Sequence, residues 1–307
     1  MRVIVVGDCS LDVMVRPAGT IRAGSDIPAE VVVGPGGQGA NVAVRLARQG
    51  VSVRLVSALA DDGAGRLLAA ALAQEGVELV RLPASRSGTV VVLLDTGGER
   101  AMLSERVSLD PSALGAALDD GDWLHASGYA LADALSGAAL ADALATRHAR
   151  SRVSVAGGSF PSDASVVARV LARLESLSPD LLILNRDEAA ALLEGTITSL
   201  TVAASDLAAC LPGTLAIVTG GPQGSAAAGH GMAAAVSPEA PIADMIDSTG
   251  AGDAYTAGMI AALADVEWPP DAAAFRAAMQ RAGRLGAQAS RVLGAQGHIP
   301  GERDTLR

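Results

Sequence analysis

The sequence predicts an α/β fold built on a doubly wound, mainly parallel sheet. Short runs of branched apolar residues alternate with longer segments of helical periodicity, and several of the strand-like runs end at Gly, Asp or Asn. Continuous apolar runs are typical of strands buried on both faces, and alternation with helices is typical of parallel sheets. The 307 residues fit one large domain with an appendage.

The elements follow one another along the chain in the order that this fold requires. The predicted strands are 3–6, 53–58, 123–126, 152–156, 181–184 and 215–219. The predicted helices are 41–49, 65–75, 133–148, 251–263 and 271–285. Gly50 and Gly76 follow the first two helices directly, where glycine commonly ends a helix.

Two segments, 11–33 and 88–107, interrupt this alternation. The second contains Thr96-Gly97-Gly98 between two strand-like runs, which predicts a hairpin. Together the two segments predict a small β-sheet lid on a single domain that spans residues 1–307. The alternative is that their strands extend the edge of the main sheet.

The charge and composition exclude several classes of protein. A net charge of −10 disfavours nucleic acid and anionic membranes as partners. The apolar run at the N-terminus is too short for a signal peptide, and no stretch is long enough to span a membrane, so we expect a cytoplasmic protein. Two cysteines and four scattered histidines show neither a disulfide framework nor zinc spacing.

The chain contains no lysine, so its 23 basic residues are all arginine. A P-loop and a protein-kinase site each need a lysine at the phosphates, and neither can exist here. Any phosphate must therefore be held by backbone N–H groups, arginine or a metal ion.

Residues 247–258, DSTGAGDAYTAG, form the segment with the clearest chemistry. A glycine-rich turn leads into a predicted helix, whose first N–H groups and dipole can bind an anion. Asp253 lies in the first turn of that helix, where a carboxylate can accept a proton from an attacking hydroxyl. The alternative is that Asp253 only caps the helix.

Four motifs in order resemble the ribokinase-like, or PfkB, family of carbohydrate and nucleoside kinases. They are 36–43 (GGQGANVA), 185–188 (NRDE), 218–224 (VTGGPQG) and 247–258. The resemblance spans essentially the whole chain and implies a three-layer α/β/α fold with a β-sheet lid. It also implies an ATP-dependent kinase that acts on a small hydroxyl-bearing molecule.

The resemblance also implies roles for the catalytic residues and the metal ligands. Asp253 would be the general base, and the N–H groups of Gly250, Ala251 and Gly252 would hold the charge that develops on the transferred phosphoryl group. Asn185 and Glu188 would bind Mg²⁺ through water, although both residue types also suit the start of a helix.

Further positions would surround the nucleotide and a monovalent cation. By resemblance, Asn185, Thr219, Gly221, Gly224 and Gly283 border ATP. A K⁺ ion is a further candidate cofactor. Its candidate ligands are Asp247, Thr249 and Gly294.

Six positions would line the substrate pocket: Asp12, Gly36, Gly37, Gln38, Asn41 and Tyr129. A carboxylate such as that of Asp12 selects polyols, but a solvated loop aspartate is the alternative. Gln38 stands where ribose-specific members carry lysine, and no glutamate lies between Asp122 and Asp133, where those members supply one. Tyr129 either stacks on the substrate or simply packs.

The leading hypothesis is a kinase for an unphosphorylated sugar or sugar acid. A nucleoside kinase is the second reading, although the chain has few aromatic residues to bind a base. A phosphofructokinase-like enzyme is third, and an inactive nucleotide-binding regulator is disfavoured by the intact Asp253. A dehydrogenase would need G-x-G-x-x-G after the first strand, and it is absent. A homodimer through the lid would protect its exposed strands.

Overall fold

A computed structural model describes residues 1–94, 100–118, 121–148, 150–158, 163–236 and 245–298. Its strands are β1 (Arg2–Val6), β2 (Ser10–Pro17), β3 (Ala29–Gly36), β4 (Ser52–Ala58), β5 (Glu78–Leu82), β6 (Gly88–Leu94), β7 (Arg100–Glu105), β8 (Trp123–Ala126), β9 (Arg152–Ala156), β10 (Leu181–Asn185), β11 (Leu215–Thr219), β12 (Ser225–Gly229) and β13 (Met232–Val236). Its helices are α1 (Gln38–Arg48), α2 (Gly63–Gln74), α3 (Pro111–Ala117), α4 (Gly128–Ala132), α5 (Gly137–His148), α6 (Ala164–Leu177), α7 (Arg186–Leu192), α8 (Leu200–Cys210), α9 (Ala251–Leu263) and α10 (Ala272–Ala289).

Nine of these strands form the central sheet, in the order β13-β12-β11-β10-β9-β8-β1-β4-β5. All neighbouring pairs from β11 to β5 are parallel, and β12 and β13 add an antiparallel edge. The chain leaves β1 for the small sheet and α1 before it returns as β4. The carboxyl ends of the parallel strands therefore lie along one edge, where open α/β sheets bind ligands.

Helices cover both faces of this sheet, which confirms the three-layer prediction. Successive residues of a strand point to opposite faces, and so Ile4 and Val6 enter one core while Val3 and Val5 enter the other. Helices α3 to α8 contribute to the first core, and α1, α2, α9 and α10 to the second. Because aromatic residues make up only 2% of the chain, Ala, Val and Leu fill most of both cores.

The remaining four strands form a separate small sheet in the order β3-β2-β6-β7. They come from the two predicted segments, and within the described part of the chain they pair with one another, not with the central sheet. The alternative, in which these strands extend the edge of the main sheet, is therefore excluded. The predicted turn at 96–98 lies outside the described residues.

The predicted helix 133–148 begins later than its periodicity indicates. The Asp133 carboxylate accepts hydrogen bonds from the N–H groups of Leu135 and Ser136, at 3.0 and 2.7 Å. These bonds stabilise a turn instead of a helix, and α5 begins only at Gly137.

No helix in the described ranges is long and apolar enough to cross a membrane. The cytoplasmic location remains a prediction from the sequence.

His125 lies in the interior of the central sheet, on β8, and is fully buried. Its Nδ1 lies 2.9 Å from the Ser154 hydroxyl, which also accepts a 2.8 Å hydrogen bond from the Trp123 indole. Its Nε2 has no hydrogen-bond partner among the described atoms. Burial lowers the pKa of His125 to about 3 from the usual 6.5, so the folded protein holds this imidazole neutral.

We expect His125→Leu to reduce the loss of stability in acid. As the pH falls from 6.5 towards 3, His125 gains a proton in the unfolded chain but not in the folded one, so its contribution lowers the free energy of unfolding. Urea unfolding at several pH values would measure this effect as the difference between variant and wild type. Buried carboxyls contribute equally to both proteins and cancel. Parallel pH dependence in the two proteins would contradict the prediction.

Candidate active site

A cleft of about 220 Å³ lies at the carboxyl edge of the central sheet. Residues that follow β1, β8 and β9, together with the ends of β10 and β11, form its floor, and β2, β6 and β7 of the small sheet contribute one wall. The start of α9 lies opposite. Of the predicted site residues, the cleft brings together Asp12, Gly37, Gln38, Asn41, Tyr129, Asn185, Glu188, Thr219, Thr249, Gly250, Gly252 and Asp253.

The turn before α9, residues 247–250, has a backbone that only glycine suits at its last position. Gly250 has φ 78°, in the left-handed region, and a Cβ there would lie 2.7 Å from Ala295. Thr249, Gly250 and Gly252 line the cleft. Ala251 does not line it, and its N–H donates to the Ser248 carbonyl at 3.3 Å. We call residues 248–252 the anion turn.

Asp253 does not cap α9. The N-cap residue is Gly250, and it has no side-chain cap hydrogen bond. Instead, Asp253 Oδ2 accepts a 2.7 Å hydrogen bond from Asn41 Nδ2 of α1. The capping alternative therefore does not explain the position of this carboxylate.

Withdrawal from solvent, together with the negative charges of Asp8 and Glu188, raises the pKa of Asp253 to about 7. The hydrogen bond from Asn41 and the positive charge of Arg45 oppose this shift. Asp253 is thus a carboxylate whose pKa lies near neutrality, as a general base requires.

Asp12 projects from β2 into the cleft and is not a loop residue. Burial raises its pKa to about 6, and the hydrogen bond from the Ser10 hydroxyl, 2.8 Å long, lowers it. Gly36, which pairs with Ser10 across the β2–β3 ladder, does not line the cleft. A Cβ at Gly36 would collide with the Asp12 carboxylate, so glycine there makes room for this side chain.

Gln38 links two strand ends through backbone groups. Its Oε1 accepts from the Gly128 N–H at 3.0 Å, and its Nε2 donates to the Gly157 carbonyl. Gly37, with φ 94°, places this helix start against the chain after β1, where a Cβ would lie 2.6 Å from the Asp8 carbonyl. The Gln38 amide, at the position of the lysine expected in ribose-specific members, is therefore held by the protein itself.

Arg106 connects the small sheet to the central sheet. It forms an ion pair with Asp8, which follows β1, and its guanidinium lies 3.4 Å from the centre of the Tyr129 ring. Tyr129 thus stacks on an arginine of the same chain in a cation–π contact. Among the described residues that line the cleft, Arg106 is the one cation.

Asn185 and Glu188 combine capping with a place in the cleft. Asn185 Oδ1 accepts from the Glu188 N–H at 2.9 Å, and Glu188 Oε2 accepts from the Asn185 N–H at 2.8 Å. This capping box begins α7. Burial raises the pKa of Glu188 to about 7. Their side-chain oxygens are of the kind that Mg²⁺ prefers. Asn185 is exposed, whereas Glu188 is buried.

The predicted nucleotide turn contributes only Thr219 to the cleft wall. Gly221 and Gly224 lie in the turn after β11 with φ 54° and 84°, and the Gly220 N–H donates to the Gly224 carbonyl at 2.8 Å. Gly283 lies in α10, where a Cβ would meet no neighbouring atom. None of these three glycines is among the described residues that line the cleft.

The three candidate K⁺ ligands lie together. Asp247 Oδ1 accepts from the Thr249 N–H and Oδ2 from the Gly294 N–H, both at 2.9 Å. Across the described ranges, no group of three or more His, Cys, Asp or Glu side chains could hold a metal ion.

Sequence reasoning missed part of the cleft lining, notably Asp8, Ser10, Gly157, Gly158, Ser248 and Thr256. Gly157 directly follows the predicted strand 152–156, and Asp8 lies two residues after the predicted strand 3–6; a position just past a strand end is the signal that could have identified them.

Comparisons with known proteins identify the family of this chain. The model of the pfkB family carbohydrate kinases matches residues 1–301. The chain is 33% identical over 291 residues to a fructokinase from Klebsiella pneumoniae, and the match covers 89% of this chain and 91% of that protein.

Two solved structures are similar over nearly the full chain. A double mutant of fructokinase from Vibrio cholerae O395, in fructose, ADP and potassium ion bound form, has a TM-score of 0.78 at 25% identity and covers 100% of this chain and 98% of its own. Ribokinase from Giardia lamblia has a TM-score of 0.81 at 16% identity, with coverage of 99% and 97%. At that identity, the second similarity shows the fold alone.

Proposed function

Because this chain belongs to the pfkB family and is an ATP-dependent carbohydrate kinase, we propose that Asp253 deprotonates a hydroxyl of an unphosphorylated sugar bound in the cleft. The hydrogen bond from Asn41 to Asp253 Oδ2 is the observation that carries this proposal. It fixes the plane of the carboxylate and leaves Oδ1 to accept the proton from the substrate.

The anion turn would hold the phosphoryl group as it moves from ATP to that hydroxyl. Phosphoryl transfer depends on positioning and on stabilising charge at the moving group. The first N–H groups of a helix supply both, and the chain has no lysine to do so. Gly250 and Gly252 line the cleft next to Asp253 and are the residues proposed for this role. Ala251 would join them by exchanging the 3.3 Å bond of its N–H to the Ser248 carbonyl.

Asn185 and Glu188 are the residues proposed to hold Mg²⁺ through water, and the ion would neutralise phosphate charge when bound. The loop of Asp247, Thr249 and Gly294 is the proposed K⁺ site. The Mg²⁺ proposal is supported by the side-chain oxygens of Asn185 and Glu188. The K⁺ proposal is supported by the hydrogen bonds that bring Thr249 and Gly294 to Asp247.

The cleft favours a neutral sugar over a sugar acid. Asp8 and Asp12 both line it, and Arg106 already pairs with Asp8, so an added carboxylate or phosphate on the acceptor would face net negative charge. Asp12 and Asn41 can hydrogen-bond adjacent hydroxyls. Because the relatives named above are fructokinases, fructose is the first acceptor to test.

We expect ADP release with Mg·ATP and fructose, and less or none with gluconate, fructose 6-phosphate or adenosine. A coupled assay across ketoses, aldoses, sugar acids, phosphosugars and nucleosides measures this. A sugar is expected because the cleft offers hydroxyl-binding groups and few aromatic side chains. Turnover confined to nucleosides would overturn the proposed acceptor class.

Asp253→Asn is the matched catalytic variant for that assay. We expect its kcat to fall by roughly 10²–10⁴-fold, the usual contribution of a general base, while fructose still raises its melting temperature by binding the folded state. Near wild-type turnover in this variant would show that Asp253 is not the base.

We also propose that the small sheet acts as a lid and joins two subunits. Val13, Val33, Val91 and Leu103 lie opposite one another across its four strands. Asp12 and Val90, which face the cleft, alternate with them, so this row points away from the cleft. Val33 and Leu103 are 53% and 61% exposed. An exposed apolar row of this kind favours a partner surface, and a second copy supplies a matching one.

Leu103→Lys should convert a wild-type dimer to monomer in sedimentation velocity, because a charge would be buried in the apolar row. Val202→Lys is the matched control, since Val202 is 58% exposed on α8, far along the chain from the small sheet. A wild-type monomer, or a dimer that survives Leu103→Lys, would contradict the proposal.

A further inference from the structure

Three polar side chains on α1 reach one short loop near the end of the described chain. Asn41, Arg45 and Arg48 are spaced at i, i+4 and i+7, so they share one face of the helix. We call residues 294–297 the tail loop. Arg45 Nη2 donates to the Ala295 carbonyl at 2.8 Å, and Arg48 Nη1 donates to the Gly297 carbonyl at 3.1 Å. Asn41 Oδ1 accepts from Gln296 Nε2 at 3.0 Å.

The tail loop in turn supports the anion turn. Gly250 lies so close to Ala295 that a Cβ on Gly250 would be 2.7 Å from its Cα. The Gly294 N–H donates to Asp247 Oδ2 at 2.9 Å. A shift of the tail loop would therefore displace the backbone that begins α9.

Arg45 is an unusual member of this set because it is only 1% exposed. A charged side chain is costly to bury unless nearby groups compensate it. Its neighbour one helical turn earlier is Asn41, which donates to Asp253 Oδ2. Arg48, by contrast, pairs with Glu75 at 2.7 Å at the outer end of the same helix face.

The charged groups that act on Asp253 come from three elements besides its own. Asp8 after β1 and Glu188 of α7 raise the pKa of Asp253, while Arg45 of α1 lowers it. Arg45 is thus the one cation among these groups, and the hydrogen bond from Asn41 acts in the same direction.

We propose that Arg45 is a positioning residue for phosphoryl transfer, which holds the tail loop against the anion turn and places a buried positive charge near Asp253. The inference rests on the proposed role of Asp253 as the base. A purely structural arginine would affect stability alone, whereas this one also affects the pH at which the enzyme works.

Three substitutions separate the two parts of this role. Arg45→Lys keeps the charge and a donor for the Ala295 carbonyl. Arg45→Gln keeps a donor without the charge, and Arg45→Met removes both. Arg48→Met is the matched control, since Arg48 holds the same loop from the same helix but pairs with Glu75.

The measurement is kcat/KM for the sugar against pH, at saturating Mg·ATP, with thermal unfolding as a check of folding. In Arg45→Gln and Arg45→Met, we expect the acidic limb to move to higher pH by roughly half to one unit, because an opposite charge near the base is lost. At a pH below the midpoint, kcat/KM should then fall about three- to tenfold relative to wild type. Arg45→Lys and Arg48→Met should keep the wild-type limb.

The results distinguish this inference from the function on which it rests. A wild-type profile with no acidic limb would contradict Asp253 as the base. A normal wild-type limb that stays in place in folded Arg45→Gln or Arg45→Met, or that moves equally in Arg48→Met, would overturn the role of Arg45 alone. If Arg45→Met does not fold, the comparison of Arg45→Gln with Arg45→Lys decides the question.

Discussion

The hydrogen bond between Asn41 and Asp253 is the interaction on which the rest of the site depends. The Asp253 carboxylate is withdrawn from water, which raises its pKa to about 7, and the Asn41 amide orients it. That amide lies at the start of α1, whose position requires Gly37 to approach the Asp8 carbonyl closely. The end of β1, the glycine-rich start of α1 and the start of α9 therefore hold one another in place.

The sheet order explains why residues distant in sequence can join this unit. The carboxyl ends of β1, β8, β9, β10 and β11 meet along one edge, and the small sheet covers them from the side. Arg106 and Gln38 then connect the parts, the first between the two sheets and the second between two strand ends. These links hold the parts of the cleft wall together.

Much of the fold follows from the sequence because buried parallel strands are continuous apolar runs and their helices end at glycine. The antiparallel edge does not follow, since β12 and β13 are rich in alanine, a residue that favours helices by its own propensity. They become strands because β11 presents an open edge. The start of α5 was misplaced for a similar reason: the side chain of Asp133, which no periodicity reveals, accepts the N–H groups of the following turn.

The site likewise has a part that the sequence predicts and a part that it does not. Asp253, Asn41 and the glycines of the anion turn could be identified from local motifs. The residues around them could not be identified in this way, because Arg45, Arg106 and Gln296 reach the site only through tertiary packing. A motif predicts which atoms are present, while the electrostatic balance at Asp253 depends on charges from three other elements.

The most direct measurement of this account is the pH dependence of kcat/KM for the wild-type enzyme with fructose at saturating Mg·ATP. If Asp253 accepts the proton of the acceptor hydroxyl, activity should fall with a slope of one as the carboxylate is protonated, with a midpoint near the pKa of about 7 that its surroundings produce. Activity that stays constant as the pH falls to about 5, well below that pKa, would contradict the central claim, because the proposed base would be protonated and the transfer unaffected.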